Sequence, residues 1–149
     1  MGRVVQLHGE LYAREFGYDA TFEALVAEIV AGFVRHFDPK RERCWIAELG
    51  GDVVGSVFLV RQSATVAKLR LLIIDPKARG RGLGRRLTRV CIRFARGAGY
   101  RKLRLWTQSH LAAARAIYRA EGFDLRSRER HFSFGKRLVA EVWELKLQP

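Results

Sequence analysis

Apolar positions in the first part of the chain recur at helical spacing. One stripe covers residues 4–12 and a second covers residues 22–33, and each would place its apolar side chains on one face of a helix. Asp19 or Thr21 is suited to cap the second helix, because their side-chain oxygens can accept from free N–H groups. The pattern predicts two amphipathic helices that end before a charged loop around Pro39.

Shorter apolar segments replace these stripes in the middle of the chain. Residues 44–49 and 53–60 flank Gly50-Gly51-Asp52, which predicts a hairpin with glycines in its turn. Residues 68–74 begin by alternating and end as a solid apolar run, which is typical of a strand covered on both faces at one end. Residues 83–98 then have the pattern of an amphipathic helix with an arginine-rich outer face.

The last part of the chain continues this alternation of helices and strands. We predict strands over residues 103–107, 123–130 and 139–147, and a helix over residues 110–121 that is closed by Gly122. Because helices and strands alternate after residue 68, at least one β-α-β crossover is expected. The pattern indicates a single domain over residues 1–149 of the α+β (α/β-like) class.

Composition adds a strong charge asymmetry to this outline. The chain of 149 residues has 28 lysines and arginines against 15 acidic residues, which is a net charge of +13. Residues 68–120 contain fifteen of the basic residues and one acidic residue, Asp75. Such concentration points to an anionic partner, which is either a phosphorylated small molecule, a nucleic acid or a membrane surface. Charge alone does not distinguish these three kinds of partner, so the distinction depends on sequence motifs.

Several classes of function find no support in the sequence. Cys44 and Cys91 form no C-x-x-C pair and have no histidine at metal-ligand spacing, so we predict neither a metal site nor a redox motif. No apolar run approaches the roughly 18 residues of a membrane helix and no signal region opens the chain, so we expect a cytoplasmic protein with no membrane partner. No zinc-finger or RNP pattern is present, so nucleic-acid binding is not indicated by a motif.

A glycine-rich turn separates the predicted central strand from the arginine-rich helix. Its sequence is Arg79-Gly80-Arg81-Gly82-Leu83-Gly84. A turn of this kind at a helix start offers free N–H groups and the positive end of the helix dipole, and glycine permits a close approach. The pattern G-x-G-x-x-G is excluded because Arg85 and Leu87 stand where it requires glycine, and the phosphate loop G-x-x-x-x-G-K-[ST] is absent. The turn predicts a pyrophosphate site, with a solvated surface turn as the alternative.

Two ordered spacings stand on either side of a predicted strand. One is Arg79-x-x-Gly82-x-Gly84, and the other runs from Ala114 through Tyr118 to Gly122-Phe123. They match the [QR]-x-x-G-x-[GA] and A-x-x-x-Y-x-x-x-G-F patterns, and residues 43–149 resemble the GNAT superfamily of acetyl-CoA-dependent N-acetyltransferases. The flanking segments are similar to acetyltransferase domains fused to MarR-type regulators. The resemblance implies a central mixed, mostly antiparallel sheet flanked by helices.

The resemblance also implies acetyl-CoA as co-substrate and assigns its contacts. The end of the central strand would hold the pantetheine arm and the glycine-rich turn would hold the pyrophosphate, through Leu72, Ile73, Ile74, Arg79, Gly80, Arg81, Gly82, Leu83, Gly84 and Arg85. Tyr118 matches the tyrosine that protonates the departing CoA thiolate, a role that suits a phenol with an ordinary pKa near 10. The alternative for Tyr118 is a packed core aromatic.

Two positions of the family pattern are not matched. Leu111 stands where many members have an asparagine that contacts the cofactor, which leaves Ser109 as a substitute or the contact missing. The predicted central strand has no carboxylate to act as general base. The candidates for that base, none preferred strongly, are Glu15, Glu129, His131 and His110.

Three residues are predicted to contact the acceptor. Tyr12 and Glu15 belong to the aromatic N-terminal helices, which often form the acceptor wall in this superfamily, and Arg70 invites a carboxylate or other anion on the acceptor. Together the motifs imply direct acetyl transfer to a primary amine of a small molecule, amino acid, peptide or protein. A catalytically impaired CoA-binding sensor and a basic nucleic-acid-binding module are the alternatives. Whether the chain forms a homodimer is left open.

Overall fold

A six-stranded sheet forms the centre of the computed structural model, which describes residues 1–147. The strands are β1 (Arg43–Leu49), β2 (Asp52–Arg61), β3 (Val66–Ile74), β4 (Lys102–Gln108), β5 (Asp124–Ser133) and β6 (Lys136–Lys146). Their order in the sheet is β1-β2-β3-β4-β6-β5, and all neighbours are antiparallel except β3 and β4. The predicted α+β class and the mixed, mostly antiparallel sheet are confirmed.

Helices cover both faces of this sheet. They are α1 (Gly2–Phe16), α2 (Ala20–Arg35), α3 (Leu83–Gly97) and α4 (Ala112–Ala120), with a short 3₁₀ turn at Pro76–Ala78. Side chains of β2 alternate between the two layers: Phe58 packs with α1 and α2, whereas Val57 and Leu59 pack in the core under α3. The link from β3 through α3 to the parallel strand β4 is the predicted crossover. Within residues 1–147, no helix is long and apolar enough to cross a membrane.

The last hairpin and the last helix differ from the predicted bounds. β5 continues to Ser133 and β6 already begins at Lys136, so a two-residue turn replaces the predicted loop. Phe134 and Gly135 form this turn with φ values of 57° and 77°, both in the left-handed region that such turns require. Phenylalanine is not a usual residue there, which explains why the sequence carried no turn signal. Helix α4 begins at Ala112 rather than at residue 110.

The turn between β5 and β6 is held against the loop between α1 and α2. The Asp19 N–H donates to the Phe134 carbonyl at 3.0 Å, and the rings of Tyr18 and Phe134 stack with centroids 5.1 Å apart. Asp19 also caps α2 by accepting from the Thr21 N–H at 3.0 Å, as one of the two predicted caps. These contacts fix the loop between the N-terminal helices beside the turn between β5 and β6.

His8 is a polar residue inside the N-terminal layer. It is 2% exposed, its Nδ1 donates to the Val4 carbonyl at 2.8 Å, and its Nε2 has no hydrogen-bond partner among residues 1–147. The rings of Tyr12 and Phe22 lie 6.1 and 6.5 Å from its ring. Burial lowers the pKa of His8 from 6.5 to about 4, because an imidazolium here would lose its hydration.

Acidification is therefore expected to destabilise the fold through His8. The unfolded chain binds this proton near pH 6.5 and the folded chain only near pH 4, so the unfolded state binds more protons in between. The free energy of unfolding is unaffected by His8 above that window and falls through it, by about 3 kcal/mol in total. Urea unfolding of the wild type and His8→Gln between pH 4 and 7 measures the effect. Parallel pH dependences of the two proteins would contradict it.

Candidate active site

Strands β3 and β4 are paired over only part of their length. The parallel register runs from Val66 and Lys102 to Leu69 and Leu105, although β3 continues to Ile74 and β4 to Gln108. Past the last pair the strands separate, and the backbone of residues 70–74 has no partner on the β4 side. The gap opens at the carboxyl ends of two parallel strands, which is where open sheets usually bind ligands.

A bulge in β3 turns the strand at the start of this gap. Leu71 has a φ of 53°, and the register between β2 and β3 shifts between Ser56 and Phe58. The Ser56 hydroxyl donates to the Leu71 carbonyl at 2.8 Å and holds the bulge in place. A positive φ at a bulky residue is strained and persists only where its surroundings impose it. The bulge redirects residues 72–74, and nothing in the apolar sequence pattern predicts it.

The gap leads into a cavity of about 500 Å³ between α1, β3, the glycine-rich turn and α4. Of the residues predicted to hold acetyl-CoA, those that line it are Leu72, Ile73, Ile74, Arg79, Gly80, Gly82, Leu83, Gly84 and Arg85. Arg81 is exposed at the turn and is not part of the lining. Tyr12 and Glu15 from α1 line the same cavity. One cavity is therefore lined by the end of β3, by the glycine-rich turn and by two residues that were predicted to contact the acceptor.

The glycine-rich turn presents its backbone to this cavity. Gly80 and Gly82 have φ values of 79° and 73°, and a Cβ built on either would meet no atom within 4 Å. Gly82 precedes the first turn of α3, whose N–H groups have no acceptors within the helix and lie at the positive end of its dipole. With Arg79 and Arg85 beside it, this open backbone fits a ligand that carries phosphates.

Tyr118 lies behind the cavity wall rather than in its lining, to which α4 contributes Ala114 and Ile117. The side chain is 4% exposed. Burial raises the pKa of Tyr118 above its ordinary value, and the nearby Tyr12 phenol and Cys91 thiol raise it further. The phenol of Tyr118 therefore keeps its proton near neutral pH.

An ion pair crosses the cavity from α1 to the glycine-rich turn. Nη1 of Arg79 lies 2.9 Å from Oε1 of Glu15. Burial raises the pKa of the adjacent Tyr12 to about 12; Glu15 adds to this effect and Arg79 opposes it. A residue predicted to contact the acceptor is thus tied directly to one predicted to contact the cofactor. Their long separation in sequence concealed this contact.

The other candidates for a general base are spread over the site. His110 lines the cavity, its Nε2 lies 2.6 Å from the Tyr18 hydroxyl, and burial lowers its pKa. His131 lies on β5 between two hydrogen-bonding side chains at 2.9 Å, and Glu129 lies exposed on the same strand. Neither of these lines the cavity. Of the four candidates, the structure brings Glu15 and His110 to the site.

Neither cysteine is placed as a nucleophile. Burial raises the pKa of Cys44 to about 11 and also raises the pKa of Cys91, which lies fully buried in the core. Because the thiolate is the reactive form, neither sulfur is activated near neutral pH. Leu111, at the family's asparagine position, lines the cavity, whereas Ser109 does not. Over residues 1–147, no group of three His, Cys, Asp or Glu side chains could hold a metal ion.

Arg70 lies apart from the other two acceptor candidates. It lines a second cavity, of about 300 Å³, together with α2 side chains that include Leu25 and Ile29. Burial lowers the pKa of Arg70. The structure therefore places Tyr12 and Glu15 in one cavity and Arg70 in another.

A sheet that splits between two parallel strands, beside a glycine-rich helix start, is an arrangement for holding a long ligand with a phosphorylated part. The chain belongs to the acetyltransferase (GNAT) family, whose model matches residues 8–123. Mycothiol acetyltransferase from Beutenbergia cavernae is 35% identical over 89 residues, which are 58% of this chain and 29% of that protein. The chain spans half or less of the length of curated relatives such as this one.

Solved structures share the fold over nearly the whole chain. An acetyltransferase from Streptococcus agalactiae has a TM-score of 0.80 at 23% identity, with 98% of this chain and 90% of that chain covered. A putative acetyltransferase from Salmonella typhimurium, solved with its cofactor acetyl-CoA, has a TM-score of 0.78 at 16% identity, with 99% and 88% covered. The similarity to domains fused to MarR-type regulators stays a prediction.

Replacing Gly82 with alanine is expected to strain the turn that begins α3. An L-residue in the left-handed region costs about 1–2 kcal/mol, which should lower the free energy of unfolding and weaken binding of inorganic pyrophosphate. Gly97→Ala, at the other end of the same helix, is the control, because its Cβ would meet nothing within 4 Å and its φ is not positive. Urea unfolding and calorimetry test both variants, and equal behaviour of the two would contradict the assigned role of Gly82.

Proposed function

We propose that residues 1–149 form one acetyltransferase domain that moves an acetyl group from acetyl-CoA to a primary amine by direct transfer. The observation that carries this proposal is the joining of the β3–β4 gap and the glycine-rich turn in one cavity. That cavity offers an unpaired strand edge at one end and open N–H groups at the other. Relatives named acetyltransferases and a structural neighbour that contains acetyl-CoA support the reaction class.

The proposed co-substrate would be held mainly by backbone groups. The free edge of residues 72–74 can pair with the amides of a pantetheine arm in the manner of an added strand. The turn from Arg79 to Arg85 receives the phosphates through its N–H groups, and these two arginines add charge-assisted contacts. Arg81, which is exposed within the same turn, contributes charge at longer range. When bound, acetyl-CoA supplies the thioester acetyl group.

Tyr118 is the proposed proton donor to the departing sulfur. A carbon–nitrogen bond forms at the acetyl carbonyl, the carbon–sulfur bond breaks, and the Tyr118 hydroxyl passes its proton to the sulfur. Burial disfavours the tyrosinate that remains, so Tyr118 takes a proton back through solvent before the next turnover. The amine loses one proton in the same cycle, which balances the exchange.

Glu15 is proposed to contact the acceptor amine and to accept its proton, with Tyr12 forming the wall beside it. In the structure the Glu15 carboxylate forms an ion pair with Arg79. When Arg79 turns toward a phosphate, Glu15 is released for the amine, so the two sites are linked through one ion pair. Arg70, which directly follows the last paired residue of β3, is proposed to contact a part of the acceptor farther from the amine.

Tyr118→Phe is expected to lower kcat by about a hundredfold, because general acid catalysis contributes on that scale, while CoA affinity stays within twofold. The pKa of Tyr118 is raised, so its deprotonation should cause no loss of rate below about pH 10. Tyr100→Phe is the matched control, because the buried Tyr100 hydroxyl donates to the Arg41 carbonyl and is not part of the cavity lining. Steady-state rates test this role: wild-type turnover by Tyr118→Phe would exclude Tyr118 as the general acid.

A wild-type protein that binds CoA but acetylates no amine would favour the alternative function of a CoA-binding sensor.

Glu15→Gln is expected to shift two measurements in opposite directions. Removing the competing carboxylate frees Arg79 for phosphate, which should tighten CoA binding by about 1.5- to 5-fold, the scale of an exposed ion pair. The acetylation rate should fall, because the amine loses its partner. Glu10→Gln removes the same charge from α1 outside the cavity and should change neither quantity. Weaker CoA binding by Glu15→Gln, measured by calorimetry, would refute the linkage.

A further inference from the structure

Much of the positive charge in residues 68–120 is paired with carboxylates. The pairs are Lys77 with Asp52, Arg79 with Glu15, Arg85 and Arg89 with Glu121, Lys102 and Arg104 with Glu144, and Arg115 with Glu141. Cations of this segment that form no ion pair within residues 1–147 are Lys68, Arg70, Arg81, Arg86, Arg93, Arg96, Arg101 and Arg119. Of these, Lys68 and Arg70 are partly buried and the others are exposed.

Partial burial makes these two cations different from a solvated surface charge. Burial lowers the pKa of both groups, and the neighbouring Arg70 and Arg104 lower that of Lys68 further. Taking a cation out of water without a carboxylate partner costs free energy. The Lys68 ammonium lies 5.4 Å from the centre of the Trp106 ring, a contact that offsets part of this cost. Two such cations, two positions apart on one strand, are an arrangement that an anion would stabilise.

The sheet face that carries them is open next to α2. Lys68 is in register with Arg104, so Lys68, Arg70 and Trp106 share the face on which α1 and α2 pack. Trp106 is 59% exposed on this face, and Arg104 forms an ion pair with Glu144 at 2.6 Å. We call Lys68, Arg70 and Trp106, together with the edge of α2 at Leu25 and Ile29, the Trp106 surface.

The Trp106 surface begins where the β3–β4 gap begins. Arg70 and Trp106 directly follow the last paired residues of their strands. The three steps along the strand from Arg70 to Ile73 span at most about 10 Å, at about 3.3 Å per residue, because the Leu71 bulge lies between them. A carboxylate bound at Arg70 is therefore separated from an amine in the gap by about two to four residues of extended chain. The carboxylates of a free amino acid lie too close to its amine to reach both places.

We propose that the Trp106 surface binds an acidic segment of a peptide acceptor, with Asp or Glu two to four residues from the acetylated amine. Lys68 and Arg70 pair with the carboxylates, and the exposed Trp106 ring packs against the extended chain. Glu28 and Glu42 also line the cavity beside Arg70. Glu28 is exposed, and the Glu42 carboxylate accepts from the N–H groups of Asp38 and Arg61 at 3.2 and 2.9 Å. The inference rests on the proposed function and narrows its acceptor class.

The test compares two pentapeptides with free amino termini, one with glutamates at its third and fourth positions and one with glutamines there. Calorimetry in the presence of CoA measures binding, and initial rates with acetyl-CoA measure acetylation. The wild type should prefer the acidic peptide by about tenfold in both, the scale of one charge-assisted hydrogen bond. Arg70→Gln and Lys68→Gln should each reduce this preference. Arg86→Gln and Arg93→Gln, which remove unpaired but exposed cations of α3, should keep it.

Tryptophan fluorescence provides a readout that does not depend on catalysis. The acidic peptide should change the emission of the exposed Trp106, and Trp106→Phe should abolish that change while Phe132→Ala, at a 70% exposed aromatic on β5, preserves it. Equal binding of the two peptides by the wild type overturns the proposal. So does a loss of preference for the acidic peptide in Arg86→Gln and Arg93→Gln that equals the loss in Arg70→Gln and Lys68→Gln. Free glutamate bound and acetylated as well as the peptide overturns the peptide class. Binding of the acidic peptide without any acetylation would support peptide binding by the Trp106 surface and refute the proposed acetyltransferase function.

Discussion

The end of the β3–β4 pairing at Leu69 and Leu105 is the constraint on which the rest of the site depends. If the two strands stayed paired, the backbone of residues 70–74 would bond to β4 and offer nothing to a ligand. The Leu71 bulge lies two residues past the last pair, and the Ser56 hydroxyl stabilises this bulge. Because α3 leaves the end of β3 and α4 leaves the end of β4, the gap also brings the first turns of both helices to one cavity.

A buried carboxylate secures the wall behind that cavity. Glu141 on β6 is fully buried and accepts hydrogen bonds from Arg115 on α4, Arg128 on β5 and the Trp143 indole at 2.8–3.0 Å. The buried carboxylate depends on these partners for compensation of its charge, so the network holds α4 against the sheet. Since Tyr118 lies one turn after Arg115 on α4, the same network positions the proposed acid. The basic segment thus holds much of its charge in structural pairs rather than on one anion-binding face.

The sequence predicted local features better than contacts between distant residues. The helical stripes, the Gly50-Gly51 hairpin and the glycine-rich turn follow from spacing, which local physics determines. The Leu71 bulge and the turn at Phe134 were not predictable, because a positive φ at a bulky residue is imposed by tertiary contacts. The Arg79–Glu15 pair was also concealed, since no periodicity relates α1 to that turn. The charge count showed a basic segment but not which of its cations find carboxylates elsewhere in the chain.

These limits reflect how the two sides of the site are built. On the proposed cofactor side, the strand edge and the turn act through backbone groups, so the glycine spacing is visible in the sequence while the side chains around it can differ. On the acceptor side, the proposed recognition depends on side chains such as Lys68, Arg70 and Trp106, which share no motif and meet through the register of two strands. Because the two sides use different chemistry, substitutions on the open sheet face can change the acceptor without disturbing the turn. A family pattern therefore identifies the reaction class, whereas the acceptor proposed here follows from the unpaired cations on β3.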